Sequence, residues 1–485
     1  MWIEEELQRD STGIQRVIQT LTKDYHKQLP RSIRSRLPEN KEKTTDFLNH
    51  FYDQLRNAEF FVYQKMTAGT GTGAAEADDP RPAFQLTEIK NSANDLPHPR
   101  ILSELQRAYD MRRRGAGAGS DSNDDDRYIP YKVYAYIREK SEYCIQFQST
   151  INGRAISLYF ITFPESHIAA CNKIRGGQTS AADSVCASEI AVYQIYAYKA
   201  FMWLSLVTGL ADKDCSEKGL NVYFYMTPFK KERPTDDAIL SAIHVNTGLT
   251  RNCETHGEIV VYRAEEWFKV FIHESMHNFN MDFIDLDLKS ANEQLRRTFC
   301  IPHDDILLFE TYTETWARII NTMFDTYHVA VENKGAAAAA RAHFIHTVRE
   351  KLTTNAVFYA HQAVKVLEIM DLKYANITIQ SAENTEVCRK RYAEDTNVYA
   401  YYILGGILSV YALPFISWCC EHNRRSGGGG IGAIRFSQET NNLPHFVDFI
   451  TNAARDPVLL SLVSLIESSA PTTTLVKKTM RMTME

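Results

Sequence analysis

His273-Glu274-Ser275-Met276-His277 places two imidazoles four residues apart with a carboxylate between them. Residues four apart on an α-helix differ by about 40° in direction, so both rings leave one face and close on a single ion. Zinc accepts neutral histidine nitrogens at about 2.0–2.1 Å, and a catalytic zinc adds one more protein ligand while keeping a position for water. Glu274 is then placed as general base, taking a proton from a water whose pKa the metal has lowered towards about 7. The plainer alternative is a pair of core or surface histidines that fall one turn apart, a coincidence that short motifs permit. Around the motif, Trp267, Phe268, Val270, Phe271, Ile272 and Phe279 are apolar on several faces, which predicts a helix buried beneath a sheet.

A third ligand must come from elsewhere in the chain. A metzincin continuation needs Gly at position 280 and His at 283, but Asn280 and Phe283 stand there. Downstream, LLFETYTETWARIIN carries Glu310 and Glu314 one helical turn apart. HExxH followed by this ExxxE pair resembles the gluzincins, the thermolysin-like and neprilysin-like metallopeptidases. The resemblance implies that His273, His277 and Glu310 bind Zn2+, and that Glu274 is general base and later proton donor. It also implies that Glu314 orients His273 by a hydrogen bond, the support that metal-bound imidazoles require. The residues alone leave Glu314, or another carboxylate, open as the ligand. They also leave open a solvated charged face with an ordinary Glu314–Arg318 helix pair, since Phe309, Tyr312, Trp316, Ile319, Ile320 and Met323 gather on the opposite side. Asp282 and Asp285 read as solvated or helix-terminating, with an aspartate-ligand variant as the alternative.

By the same resemblance, HVNTGLT (244–250) occupies the place of an edge strand that pairs with a bound peptide through Asn246 and Gly248. An ordinary turn is the competing reading, and His244 reads as structural. Tyr399, Tyr402 and His361 are candidate donors to a tetrahedral oxyanion, and nothing in their spacing chooses among them. The run EEWFKVFIHESMHNFNMDF followed by ETYTETWARIIN is also similar to zincin-like proteins of large nucleocytoplasmic DNA viruses.

The elements that must hold these groups read as α+β. Before Gly115, the segments Trp2 to Leu29, Thr45 to Met66 and Leu102 to Arg114 repeat apolar residues at helical spacing. From Tyr128 to Thr162 the period shortens, and YKVYAYI, YCIQFQS and ISLYFIT read as strands with Asn152-Gly153 as a hairpin turn. A helix over about Ser184 to Leu210 follows, then strands NVYFYMT (221–227) and EIVVY (258–262), and mainly helix from about Asp304. This order predicts an N-terminal helical region (1–126), a zincin-like core with a mixed sheet over the HExxH helix (127–330), and a C-terminal helical subdomain (331–485). Biased runs at 67–80, 115–126, 335–342 and 426–432 read as loops or linkers. The alanines at 336–340 are the exception, because alanine favours helix.

With 485 residues, 44% hydrophobic and 24% charged, the chain has the profile of a soluble globular protein; disorder, collagen and coiled coil need stronger bias. A formal charge of −6 argues against polyanion binding, so the expected partner is a peptide or protein substrate and not nucleic acid. Nine scattered cysteines without a CxxC pair read as buried thiols of a reducing compartment. MWIEEELQRD shows neither a basic n-region nor an apolar h-region, so a cytoplasmic or virion location is expected. Val398 to Cys420 carries no charge and is long enough to span a bilayer, yet its four tyrosines, Gly-Gly pair and proline favour a buried helix or helix pair. Membrane association through that run and the basic tail Lys477, Lys478 and Arg481 is the competing reading. Together these features predict a zinc metallopeptidase; the alternative is a catalytically silent zincin-fold structural or interaction protein.

Overall fold

The structure is a computed structural model. It describes residues 2–28, 35–68, 84–88, 99–104, 128–164, 181–235, 239–300, 305–332, 337–423, 430–439, 441–469 and 474–484. The longer elements run, in chain order, α1 (Trp2–Gln28), α2 (Lys41–Ala68), β1 (Phe84–Glu88), α3 (Tyr131–Lys140), β2 (Tyr143–Ile151), β3 (Arg154–Thr162) and α4 (Ala181–Val207). They continue with β4 (Gly219–Tyr225), β5 (Gly248–Thr250), β6 (His256–Val261), α5 (Trp267–Asn278), α6 (Leu308–Glu332) and α7 (Ala337–Ile369), and shorter helices follow. The chain is therefore a mixed helix and sheet protein, as the α+β reading expects. It divides into two compact units, one of Met1–Gln8, Asp53–Lys230 and Asn246–Asn280, the other of Arg9–Tyr52, Lys231–Val245 and Met281–Glu485. The biased runs at 67–80 and 115–126 lie largely or wholly outside the described residues.

The first unit holds a six-stranded sheet of order β1-β2-β3-β4-β6-β5. β1, β2 and β3 are antiparallel, β3, β4 and β6 are parallel, and β5 returns antiparallel along the edge. The β2–β3 turn sits at Asn152 and Gly153, both at positive φ (47° and 80°), the twist a two-residue hairpin needs. One face of the sheet packs on α4 and α5. Phe160 and Phe224 stack at 4.7 Å between ring centres, Trp267 and Phe271 of α5 meet Phe224 edge-on at 5.3 Å each, and Tyr193 and Tyr196 of α4 close around Phe160. Phe160, Phe224 and Phe271 are fully buried, which stabilises the unit by about 1.5–3 kcal/mol each.

One strand expected from the sequence is a helix. YKVYAYI lies in α3, where Val133, Tyr134 and Ile137 are buried together. The same residues satisfy alternation and a helical stripe, and it is the helical stripe that forms, with Pro130 in extended backbone as the N-cap. The other predicted strands form, although HVNTGLT contributes only β5, because Ala242–Val245 is a helical turn.

In the second unit α6 is the central helix. Trp316 packs against Phe47 and Phe415, with ring centres 5.5 and 5.4 Å away, and the Tyr312 hydroxyl donates to the Ile434 carbonyl at 2.9 Å. The alanine run opens α7, as alanine's propensity predicts. The uncharged stretch is a π-helical turn Tyr399–Leu404, a helix Gly405–Val410 and a second helix Ala412–His422 bent from it by 91°. A second apolar segment also exists. Among the described residues, Ile190–Val207 of α4 is long and apolar enough to cross a membrane by length and composition, and two bent helix pairs pass only when each is taken as one span.

Candidate metal centre

α5 carries the HExxH residues, and its sequence explains its placement. Phe268, Val270, Phe271, Ile272 and Met276 are all buried, so the helix is covered nearly all round. It starts abruptly after Glu266, a left-handed residue at φ 60°. Its middle is pinned to α4 by Trp203, whose Nε1 donates to Ser275 Oγ at 2.6 Å, while Ser275 Oγ donates to the Ile272 carbonyl at 2.8 Å. With that face held by Ser275, His273 and His277 share the face of the motif.

The Nε2 atoms of His273 and His277 are 3.1 Å apart, with ring planes at 75°. Two nitrogens bound at about 2.0–2.1 Å to one tetrahedral ion stand about 3.3 Å from each other. The pair is therefore already spaced for a shared cation. Both rings and Glu274 are buried, between 5 and 8% exposed. Glu310 is half-buried on α6, in the second unit. Two neutral imidazoles and one carboxylate are a donor set that suits zinc.

No family model matches the chain, and no curated protein or solved structure is similar to it.

Glu314 is not on a solvated face. It is 1% exposed, and its Oε1 accepts from Arg318 Nε at 2.9 Å. Arg318, 2% exposed, also donates from Nη1 to Ser409 Oγ and from Nη2 to the Tyr401 carbonyl, and lies over the Tyr359 ring. The helix ion pair foreseen from the i, i+4 spacing is thus present, but as part of a buried polar network. Asp282 is likewise buried rather than solvated, and its Oδ1 accepts from the Ile284 amide at 2.9 Å; Asp285 is exposed.

The oxyanion candidates have packing roles. His361 Nε2 is 3.1 Å from the Tyr25 hydroxyl, and burial first, then Lys365, pulls its pKa down to about 4. The Tyr402 hydroxyl donates to the Met480 carbonyl. Tyr399 is 1% exposed between Phe299 and Tyr392, and burial pushes its pKa well above the usual phenol value. His244 is structural, its Nδ1 accepting from the Ser241 amide at 3.2 Å.

Two features of this region were not legible as such. Gly248, on edge strand β5, lies so close to α5 that an added Cβ would fall 2.7 Å from Val270 Cγ1 and 3.0 Å from Glu274 Cγ. Only glycine permits that approach. The thiol reading of the cysteines is corrected at two positions: Cys215 and Cys253 form a disulfide across a sequence separation of 38 residues. Spacing gives no signal for it, because the turn before β4 and the turn after β5 become neighbours only through the sheet. Cys144, Cys300, Cys388 and Cys419 are buried thiols, and burial pushes Cys144 up to about 12.

Proposed function

We propose that the chain is a zinc-dependent metallopeptidase of the gluzincin kind, with the β1–β6 sheet and α5 as a zincin-like core. The observation that carries this reading is the pair of buried imidazoles on α5, whose Nε2 atoms stand 3.1 Å apart. His273 and His277 would hold the ion, with Glu310 as the third ligand that the gluzincin resemblance implies. Bound zinc supplies Lewis acidity towards a carbonyl and lowers the pKa of a water. Glu274, on the helix turn between the two imidazoles, takes the proton from the attacking water and passes it to the leaving amine. β5 is the sheet edge, with backbone groups on its outer side that suit an extended peptide added as a further strand. Gly248 brings that edge against Glu274, which sets the susceptible bond beside the base. Glu314 serves here as the anchor of Arg318 in the interior of the second unit.

The test is Glu274→Gln. The variant is expected to bind one zinc per chain, like the native protein, and to lose cleavage of a mixed peptide library. Undiminished turnover would remove Glu274 from the chemistry. A native protein that binds zinc and cleaves nothing in the library would point instead to a silent interaction module.

A further inference from the structure

The last turn of α5 is gripped by a polar cluster that the metal site does not use. Asn278 follows His277 directly and is fully buried. Its Oδ1 accepts from Ser216 Oγ at 2.7 Å, its Nδ2 donates to Thr250 Oγ1 at 3.3 Å, and its carbonyl accepts from the Cys253 amide at 3.2 Å. Ser216 is the neighbour of Cys215, so the Cys215–Cys253 disulfide is tied to this one asparagine through Cys253 itself at one end and through the residue beside Cys215 at the other. Ser216 and Cys253 stand at φ 54° and 45°, left-handed conformations that only surrounding structure sustains in non-glycine residues. The Ser216 amide donates to the Glu254 carbonyl at 2.7 Å and the Lys218 amide to the Thr255 carbonyl at 2.9 Å, which lace the two loops together beside the bridge. Gly257 completes the fit, since an added Cβ would collide with Ser216 Oγ and fall 2.9 Å from Asn278 Oδ1.

We infer that the Cys215–Cys253 disulfide is a redox clasp on the end of the HExxH helix, with Asn278 as the positioning residue that passes its state to His277. The inference rests on the metal reading of His273 and His277. Closed, the clasp fixes the Ser216 hydroxyl and the Cys253 amide on Asn278, so the ring of His277 keeps its place opposite His273. The bridge is open to a reductant on one side, because Cys253 is half-buried while Cys215 is fully buried. A dithiol thiolate attacks Cys253 sulfur, the S–S bond breaks, and Cys215 leaves as a thiolate that takes up a proton. The second thiol of the reductant then closes its own disulfide and releases Cys253 as a thiol, so two electrons and two protons pass to the protein. Asn278 is left with partners on two separate loops.

The experiment uses the full chain. Alkylation and mass analysis without reductant should leave Cys215 and Cys253 unmodified; finding both alkylated overturns the inference. Hydrogen exchange over 273–280 in metal-free protein should speed up about tenfold in the Cys215→Ser/Cys253→Ser double variant, and zinc, measured by chelator competition, should bind about tenfold more weakly, the low end of what supporting contacts to a metal ligand are worth. Ser216→Ala, which keeps the bridge and removes one contact to Asn278, should show smaller changes in the same direction and serves if the double variant does not fold. Unchanged exchange and unchanged zinc affinity in both variants would overturn the clasp while leaving the metal site standing. Native protein that binds no zinc would instead sink the metallopeptidase reading, and the exchange data would still decide whether the clasp holds the helix.

Discussion

Two buried ionisable clusters solve the cost of burial in opposite ways. In the second unit Glu314 and Arg318 neutralise each other, and the guanidinium spends its remaining donors on Ser409 and Tyr401. In the first unit His273 and His277 turn like atoms towards each other at 3.1 Å. At most one hydrogen bond fits between two imidazole nitrogens. The first arrangement is complete when the chain has folded. The second is a pair of donors spaced for an ion, and this difference is what separates a structural charge pair from a candidate centre, although both arise from residues four apart on a helix.

Breaking the completed cluster should have the largest effect. Arg318→Met deprives a carboxylate that is 1% exposed of its guanidinium, and loss of one partner of a buried pair costs about 3–5 kcal/mol. A denaturant midpoint should fall accordingly while zinc stoichiometry stays at one per refolded chain; loss of zinc with no loss of stability would join the two clusters that we hold apart. Glu310→Gln should do the reverse, keeping stability and weakening zinc by more than the ~10–100-fold that a merely supporting contact is worth. An unchanged dissociation constant would strike Glu310 from the ligand set.

Gly248→Ala probes the contact between edge strand β5 and Glu274. Overpacking against Val270 and Glu274 should cost about 1–3 kcal/mol, and peptide turnover should fall further than zinc affinity. Equal losses in both would mean that the glycine serves only folding.

The pH-dependent effect concerns Glu394, a half-buried carboxylate that accepts from the Tyr392 hydroxyl at 2.6 Å and the Tyr399 amide at 2.7 Å. Burial raises its pKa from 4.5 to about 7, against those hydrogen bonds. The folded form thus holds a proton that the unfolded chain has released, so this contribution is full below about pH 4.5 and is lost as pH rises through about 7. The stability difference between Glu394→Gln and the native chain should therefore shift in favour of the variant across that window, as read by urea titration at a series of pH values. A flat difference would show that the group titrates normally.

What the sequence disclosed follows from locality. The HExxH spacing, the Asn152-Gly153 turn and the Glu314–Arg318 pair are each set by contacts within a few residues, so they could be read directly. Glu310 and Glu314 look alike along the chain, one turn apart on one helix, yet one is half-buried and the other is sealed within a network that includes Ser409 and Tyr401, a distinction made by residues some ninety positions away. The same holds for Cys215 and Cys253, for the short reach between Gly248 and Glu274, and for Asp282, whose burial no local pattern announces. Tyr131 to Ile137 failed for the opposite reason: its local pattern fits two periods, and Val133, Tyr134 and Ile137 are buried together on the helical one.

The most direct test of the proposed metal centre is the zinc content of the purified native chain beside that of His273→Ala/His277→Ala, measured by elemental mass spectrometry after exhaustive dialysis. One zinc per native chain and none in the double variant, with folding intact by circular dichroism, is the expected result. A native chain without zinc even after incubation with the metal, or a double variant that keeps its full complement, would contradict it.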